Sequence, residues 1–185
     1  GRVRQPLIVS PPGTVRITTG SNFSVRTDTM NRGFLCLLLL IAWQGRAADC
    51  FEQAARHYHL NADLLRAISQ VESQGKAGTI GLNRDAQGRV TSRDYGLMQI
   101  NSTHIAALIR EHRIQQATDL LRDPCLNIGT GAEILARHLS YCGNNWACLA
   151  TYNTGFLQGR DQARRRYIHK VYLAYRAYSQ QGAGG

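Results

Sequence analysis

The sequence predicts a mainly helical protein with one structured domain and a small β-ribbon. Three observations carry this. Apolar residues recur at helical spacing before residue 74 and again after residue 102, and a glycine-rich stretch without that period lies between. The length of 185 residues suits one core and is too short for two once the N-terminal segment is set aside.

Residues 50–58 read as a short first helix. A second starts at an Asn61 cap and carries Leu64, Leu65, Ile68 and Val71 at spacings of three and four, stopping near Ser73 because Gly75 and Gly78 follow. Residues 75–99 hold four glycines before Tyr95 and read as loop, with a β-ribbon expected around 79–97. After a Ser102 cap, helices are expected at 103–110 and 114–121, and a longer one from Asp123-Pro124 to about Ser140, with proline in its first turn. Asn145 caps a helix through Leu149 and Tyr152 that stops at Asn153-Thr154-Gly155. The last begins near Asp161 and carries Tyr167, Val171 and Tyr175.

The first 29 residues are rich in Pro, Gly, Ser and Thr and read as a disordered or non-native extension. Met30 then opens an export signal over residues 30–48: basic Arg32, an apolar run from Phe34 to Trp43, and small residues at Gly45, Ala47 and Ala48. The run is about half the roughly 20 residues of a membrane span, so cleavage after Ala47 or Ala48 is expected rather than a retained anchor. The domain then covers residues 49–179, and 180–185 form a flexible tail.

Export agrees with the cysteines. Cys36 leaves with the signal, and Cys50, Cys125, Cys142 and Cys148 remain. Four cysteines allow three pairings. Cys142 with Cys148 across the Gly-Asn-Asn link, leaving Cys50 with Cys125, is the expected one. No C-x-x-C pair or histidine cluster suggests a metal, and none is expected. The formal charge of +10 falls to +5 without residues 1–47, which carry six Arg and one Asp. That balance suits an anionic polymer without choosing between cell-wall glycan and nucleic acid. Arg164 to Arg166 read as a solvated helix face rather than a nucleic-acid site, and Tyr141, Trp146 and Tyr152 as core.

Three segments carry chemistry. Glu72 ends an apolar helix, where the negative end of the dipole and apolar neighbours both raise a carboxyl pKa, as proton donation near neutrality requires. A solvated surface glutamate is the plain alternative. Asp94-Tyr95-Gly96-Leu97-Met98-Gln99-Ile100-Asn101 sets a glycine, permissive of close ligand approach, before two amides suited to sugar hydroxyls and N-acetyl groups. The same string also reads as a turn entering a helix. Ala150-Thr151-Tyr152-Asn153-Thr154-Gly155 is explained by a helix C-cap alone.

In order, Glu72-Ser73, Gly96-Leu97-Met98-Gln99, Ala150 to Gly155 and Tyr167 resemble the soluble lytic transglycosylases over about residues 50–178. Cys50 and the extended Asp94 to Asn101 motif are most similar to small members associated with type III secretion and other envelope-spanning machines. The resemblance implies an α+β lysozyme-like fold of the goose type, peptidoglycan as substrate, a periplasmic monomer without cofactor, and secretion-system components as further partners. It implies that Glu72 protonates the oxygen between N-acetylmuramic acid and N-acetylglucosamine, then takes the proton of the muramoyl C6 hydroxyl to leave a 1,6-anhydro sugar. Ser73, Gly96, Met98, Gln99, Asn101, Tyr152, Asn153 and Tyr167 are then expected to bind or position substrate and acid. Asp94 is either a second catalytic carboxylate, which opens a hydrolytic lysozyme reading, or a structural cap. A non-catalytic wall-binding or secretion-assembly module is the remaining alternative.

Overall fold

The computed structural model of the chain describes residues 50–182. The expected extension (1–29), the export signal (30–48) and residues 183–185 lie outside the described residues.

Helix α1 covers residues 50–58, and α2 Ala62–Ser73. The Asn61 side chain caps α2 by accepting from the Leu64 amide at 3.0 Å. A three-stranded antiparallel sheet follows: β1 Ile80–Arg84, β2 Val90–Tyr95 and β3 Ile100–Asn101, in that order. A 3-10 turn (Ser102–His104) leads into α3 Ile105–Arg110, then α4 Asp119–Arg122 and α5 Pro124–Cys142. The chain closes with α6 Trp146–Leu149, α7 Thr151–Thr154 and α8 Asp161–Gly182. Among the described residues no helix is long and apolar enough to cross a membrane.

The core forms where α2 packs on α8 and where α5 packs on α6 and α7, which in turn meet α8. Leu64, Leu65 and Ile68 from α2, Ile128 and Leu135 from α5, Leu149 from α6 and Val171 from α8 are fully buried, with Met98 and Ile100 among them. The polar Asn127 shares this interior at 0% exposure. Its amide nitrogen donates to the Tyr95 and Leu120 carbonyls at 2.8 and 3.0 Å, and its oxygen accepts from the Met98 amide at 2.8 Å. A buried polar group persists only when satisfied in this way, and here the satisfaction fixes the turn between β2 and β3. Gly96 at that turn has φ +76°, and a Cβ there would collide with the Asn127 side chain and the Leu120 carbonyl.

The sulfurs join Cys50 to Cys125 and Cys142 to Cys148, at Cα separations of 5.2 and 5.6 Å. The first ties α1 to α5; the second pins the link between α5 and α6.

Several elements differ from expectation. The helix expected at 114–121 is confined to Asp119–Arg122, because the Asp119 carboxylate accepts from the Gln115 and Gln116 amides at 2.8 and 3.1 Å and folds the preceding residues into a turn. Asn101, not Ser102, caps the turn that follows β3, accepting from the Thr103 amide at 3.0 Å. The helix expected through Leu149 and Tyr152 is two short ones that meet at Ala150. Tyr141, expected in the core, is 80% exposed, since it lies on the outer face of the last turn of α5.

Candidate active site

Glu72 occupies the last turn of α2, which ends at Gln74 in the left-handed region, φ 57°. The neighbouring Ser73 is buried, and its hydroxyl lies 3.0 Å from the Ser69 carbonyl and 2.9 Å from that of Leu97. That second contact fastens the end of α2 to the Gly96–Met98 turn, so the acid and the turn keep a fixed relation.

Across the α2–α8 contact the Tyr167 hydroxyl donates to Glu72 Oε1 at 2.8 Å. Tyr167 itself is 4% exposed. Burial disfavours the charged carboxylate and pushes the Glu72 pKa up to about 7, against the Tyr167 hydrogen bond, which favours the ionised form; the negative charge of Asp94 adds a smaller upward push. At neutral pH such a carboxyl is divided between its two protonation states, the condition for one group to act as acid and then as base. Burial and the nearby charges of Glu72 and Asp94 hold the Tyr152 phenol well above its ordinary range, so it remains a donor. It donates to the Met98 carbonyl at 2.8 Å, fastening α7 to the same turn.

The sheet supplies the facing wall. Residues opposite each other across an antiparallel ladder point to the same face. The register pairs Gly81 with Asp94, Asn83 with Ser92 and Asp94 with Asn101, which sets Asn83, Ser92, Asp94 and Asn101 side by side. Asp94 Oδ1 accepts from Asn101 Nδ2 and Oδ2 from Asn83 Nδ2, each at 2.7 Å. The carboxylate is therefore held in one orientation by two amides. Gln99, at φ 48°, turns its amide nitrogen onto the Gly96 and Thr79 carbonyls at 2.9 and 3.2 Å.

These walls enclose a cleft of about 440 Å³. Glu72, Asp94, Gln99, Asn101, Tyr152 and Asn153 line it, as expected residues brought together from four elements and a turn. Ser73, Gly96, Met98 and Tyr167, also expected at the substrate, do not line it. They are buried behind the wall, Met98 at 0% exposure, and held there by hydrogen bonding and close packing.

Sequence reasoning missed Asn83, Ser92, His104, His138 and Thr151, which line the same cleft. The turn from Asp85 to Gly88 marks the hairpin, but regular counting back from it sets Asn83 opposite Thr91; a bulge between Asn83 and Arg84 moves it opposite Ser92, beside Asp94. His138 is legible only in three dimensions. The Thr151 hydroxyl gives its hydrogen to the Cys148 carbonyl at 2.6 Å, so its oxygen accepts from His138 Nδ1 at 2.8 Å. That tautomer leaves Nε2 as an acceptor. Burial lowers the pKa of both His138 and His104 and favours their neutral form. Among the described residues no group of three His, Cys, Asp or Glu is arranged to hold a metal.

A carboxyl with a raised pKa, a second carboxylate near it and an amide-lined cleft together define a glycan-cleaving site of the lysozyme-like class. Comparison with known proteins narrows the class. The family profile described as Transglycosylase SLT domain matches residues 49–175. A peptidoglycan-binding-like protein of Escherichia coli O157:H7 is 42% identical over 142 residues, covering 77% of this chain and 85% of its own. The invasion protein IagB of Salmonella typhi is 36% identical over 154 residues, covering 83% of this chain and 92% of its own. The crystal structure of an inactive mutant of the lytic transglycosylase Slt from Pseudomonas aeruginosa shares the fold, with a TM-score of 0.54 and 21% identity over 72% of this chain; the chain spans 24% of that protein's length. The chain belongs to the soluble lytic transglycosylase family, as a lytic transglycosylase with the SLT domain.

Proposed function

We propose that this protein is an exported, periplasmic enzyme that cleaves the β-1,4 bond between N-acetylmuramic acid and N-acetylglucosamine and leaves a 1,6-anhydromuramoyl end. The observation that carries the reading is Glu72, near pKa 7 at the edge of an amide-lined cleft and hydrogen-bonded on one oxygen by Tyr167.

With Oε1 engaged by Tyr167, Oε2 is the oxygen suited to carry and deliver the proton. Glu72 protonates the glycosidic oxygen as the bond to the muramoyl C1 breaks. The resulting carboxylate then accepts the proton of the C6 hydroxyl as O6 bonds to C1. No water is consumed, and the carboxyl regains its proton for the next cycle. Asn153 supplies amide donors and an acceptor for hydroxyl and acetamido groups, and the side-chain oxygens of Gln99 and Asn83 supply acceptors, since the amide nitrogens of Gln99, Asn83 and Asn101 already donate within the protein.

Asp94 supports a second outcome. Its oriented carboxylate lines the same cleft and stabilises positive charge developing at C1, as in retaining glycosidases. If water rather than O6 captures C1, the enzyme acts as a lysozyme with Glu72 and Asp94 as its pair.

Local opening of the wall for a secretion apparatus is the biological role we infer, in line with the 36% identity to a protein named for invasion. Recovery of an envelope-assembly component in a pull-down from envelope extracts supports it; recovery of none counts against it. The catalytic reading is tested by release of soluble fragments from purified sacculi. Glu72→Gln is expected to lower the rate by at least about a hundredfold, since acid catalysis alone is worth about 10²–10⁴. A folded variant that retains the wild-type rate refutes Glu72 as the acid.

A further inference from the structure

The cleft continues into an exposed aromatic lip that its chemistry does not use. Phe156 lines the cleft yet is 48% exposed, and beyond it Tyr141 stands 80% exposed. Their ring centroids lie 5.1 Å apart, nearly perpendicular, and the Phe156 ring also meets that of the cleft residue His138 at 4.8 Å. Two elements distant in sequence, the last turn of α5 and the segment after α7, therefore build one continuous apolar surface out of the cleft.

The lip is held in place by specific contacts. Gly155 turns the chain with φ +61°, a conformation that other residues rarely adopt. Arg164 Nη2 donates to the Leu157 carbonyl at 2.6 Å and to that of Gly155 at 3.3 Å, while Nε donates to Thr154 Oγ1 at 3.1 Å. These contacts hold the backbone on both sides of Phe156, whose ring stays half-exposed although solvent exposure of apolar surface is unfavourable.

We propose that Phe156 and Tyr141 form a peripheral subsite that stacks against a sugar ring of the glycan strand, beyond the rings held at Glu72. A β-linked N-acetylhexosamine fits this surface. Its two faces carry C–H groups, which pack on aromatic rings, and its edge carries hydroxyl and acetamido groups, which meet the exposed Asn153 side chain and the His138 acceptor at the cleft border. Continuity with the cleft argues for the strand itself as occupant rather than an unrelated protein. The lip then makes binding depend on strand length.

The proposal rests on the cleft being a glycan site, and one experiment separates the two. Glu72→Gln protein, unable to turn substrate over, is titrated calorimetrically with a short and a long β-1,4 N-acetylglucosamine oligomer, in the otherwise native background and with F156A/Y141A added. We expect the long oligomer to bind the native lip more tightly, and the double variant to lose about tenfold on the long oligomer only, the scale of one aromatic contact. Tyr141→Phe keeps the ring and is expected to retain the gain. Binding of both oligomers with no length dependence, or equal losses on both, overturns the lip and leaves the glycan cleft standing. Failure of the native-lip protein to bind either oligomer overturns the cleft reading and the lip with it. Both positions are at the surface, so matching thermal unfolding of the variants is expected.

Discussion

The Tyr167 hydroxyl meets Glu72 Oε1 at 2.8 Å across the contact between α8 and α2. The two residues lie 95 positions apart, and the contact holds the acid while restraining the rise in its pKa. Removing the hydroxyl removes an interaction that favours the carboxylate. Tyr167→Phe should raise the Glu72 pKa further, so the alkaline limb of the pH–rate profile moves upward, by about 0.7 of a unit for a hydrogen bond worth roughly 1 kcal/mol. The profile of sacculus solubilisation measures this. A limb that stays in place contradicts the assignment of that hydrogen bond.

Asp94→Asn should move the same limb the other way. The negative charge of Asp94 contributes to the raised Glu72 pKa, so its loss lowers that pKa. If the charge also stabilises a cationic transition state, kcat falls by about 10²-fold with little change in KM. A fall in affinity alone returns Asp94 to the role of a structural cap.

Glu72 also bears on stability. Its folded pKa of about 7 exceeds the ordinary 4.5, so the native state binds the proton more tightly than the unfolded state does. Below pH 4.5 both states are protonated and the group costs nothing. Between there and pH 7 the native state is progressively disfavoured, and above pH 7 the full penalty applies, about 3 kcal/mol from a shift of 7 minus 4.5. Glu72→Gln is therefore expected to unfold at higher urea concentration than wild type at pH 8 and at nearly the same concentration at pH 4. An equal difference at both values contradicts the raised pKa.

Asn127 should matter as much as any core residue. Asn127→Ala leaves the Met98 amide and two carbonyls without their partner inside the protein. A loss of about 2–4 kcal/mol is expected, with lowered activity because the turn behind the cleft loosens. Denaturant titration and fragment release measure the two effects.

Reduction should destabilise the protein mainly through Cys50–Cys125. This bridge closes 75 residues and Cys142–Cys148 only 6, so roughly 4 and 2 kcal/mol are expected from the constraint on the unfolded chain. Paired serine variants compared by thermal unfolding test the order, and a larger loss from the short loop contradicts it.

Helices α2, α5 and α8 were legible because apolar spacing, the Asn61 cap and Asp123-Pro124 are local signals. The Glu72, Gly96–Gln99 and Tyr152–Asn153 segments were legible as a set through their order along the chain. Their division of labour was not. Met98 sits inside and Gln99 on the cleft because of a left-handed turn pinned by Asn127, a residue 29 positions from Met98 with no local mark. Asn83 joins Asp94 only through strand register, His138 reaches the cleft through Thr151, and Tyr141 is exposed because it lies on the outer face of the last turn of α5.

The most direct test of the central claim is mass spectrometry of the soluble fragments released from purified peptidoglycan by the mature protein. Capture of C1 by its own C6 hydroxyl predicts anhydromuropeptides, one water lighter than hydrolysis products, and none from Glu72→Gln. Fragments with reducing muramoyl ends, released by wild type and absent with Glu72→Gln, contradict it and make the enzyme a lysozyme.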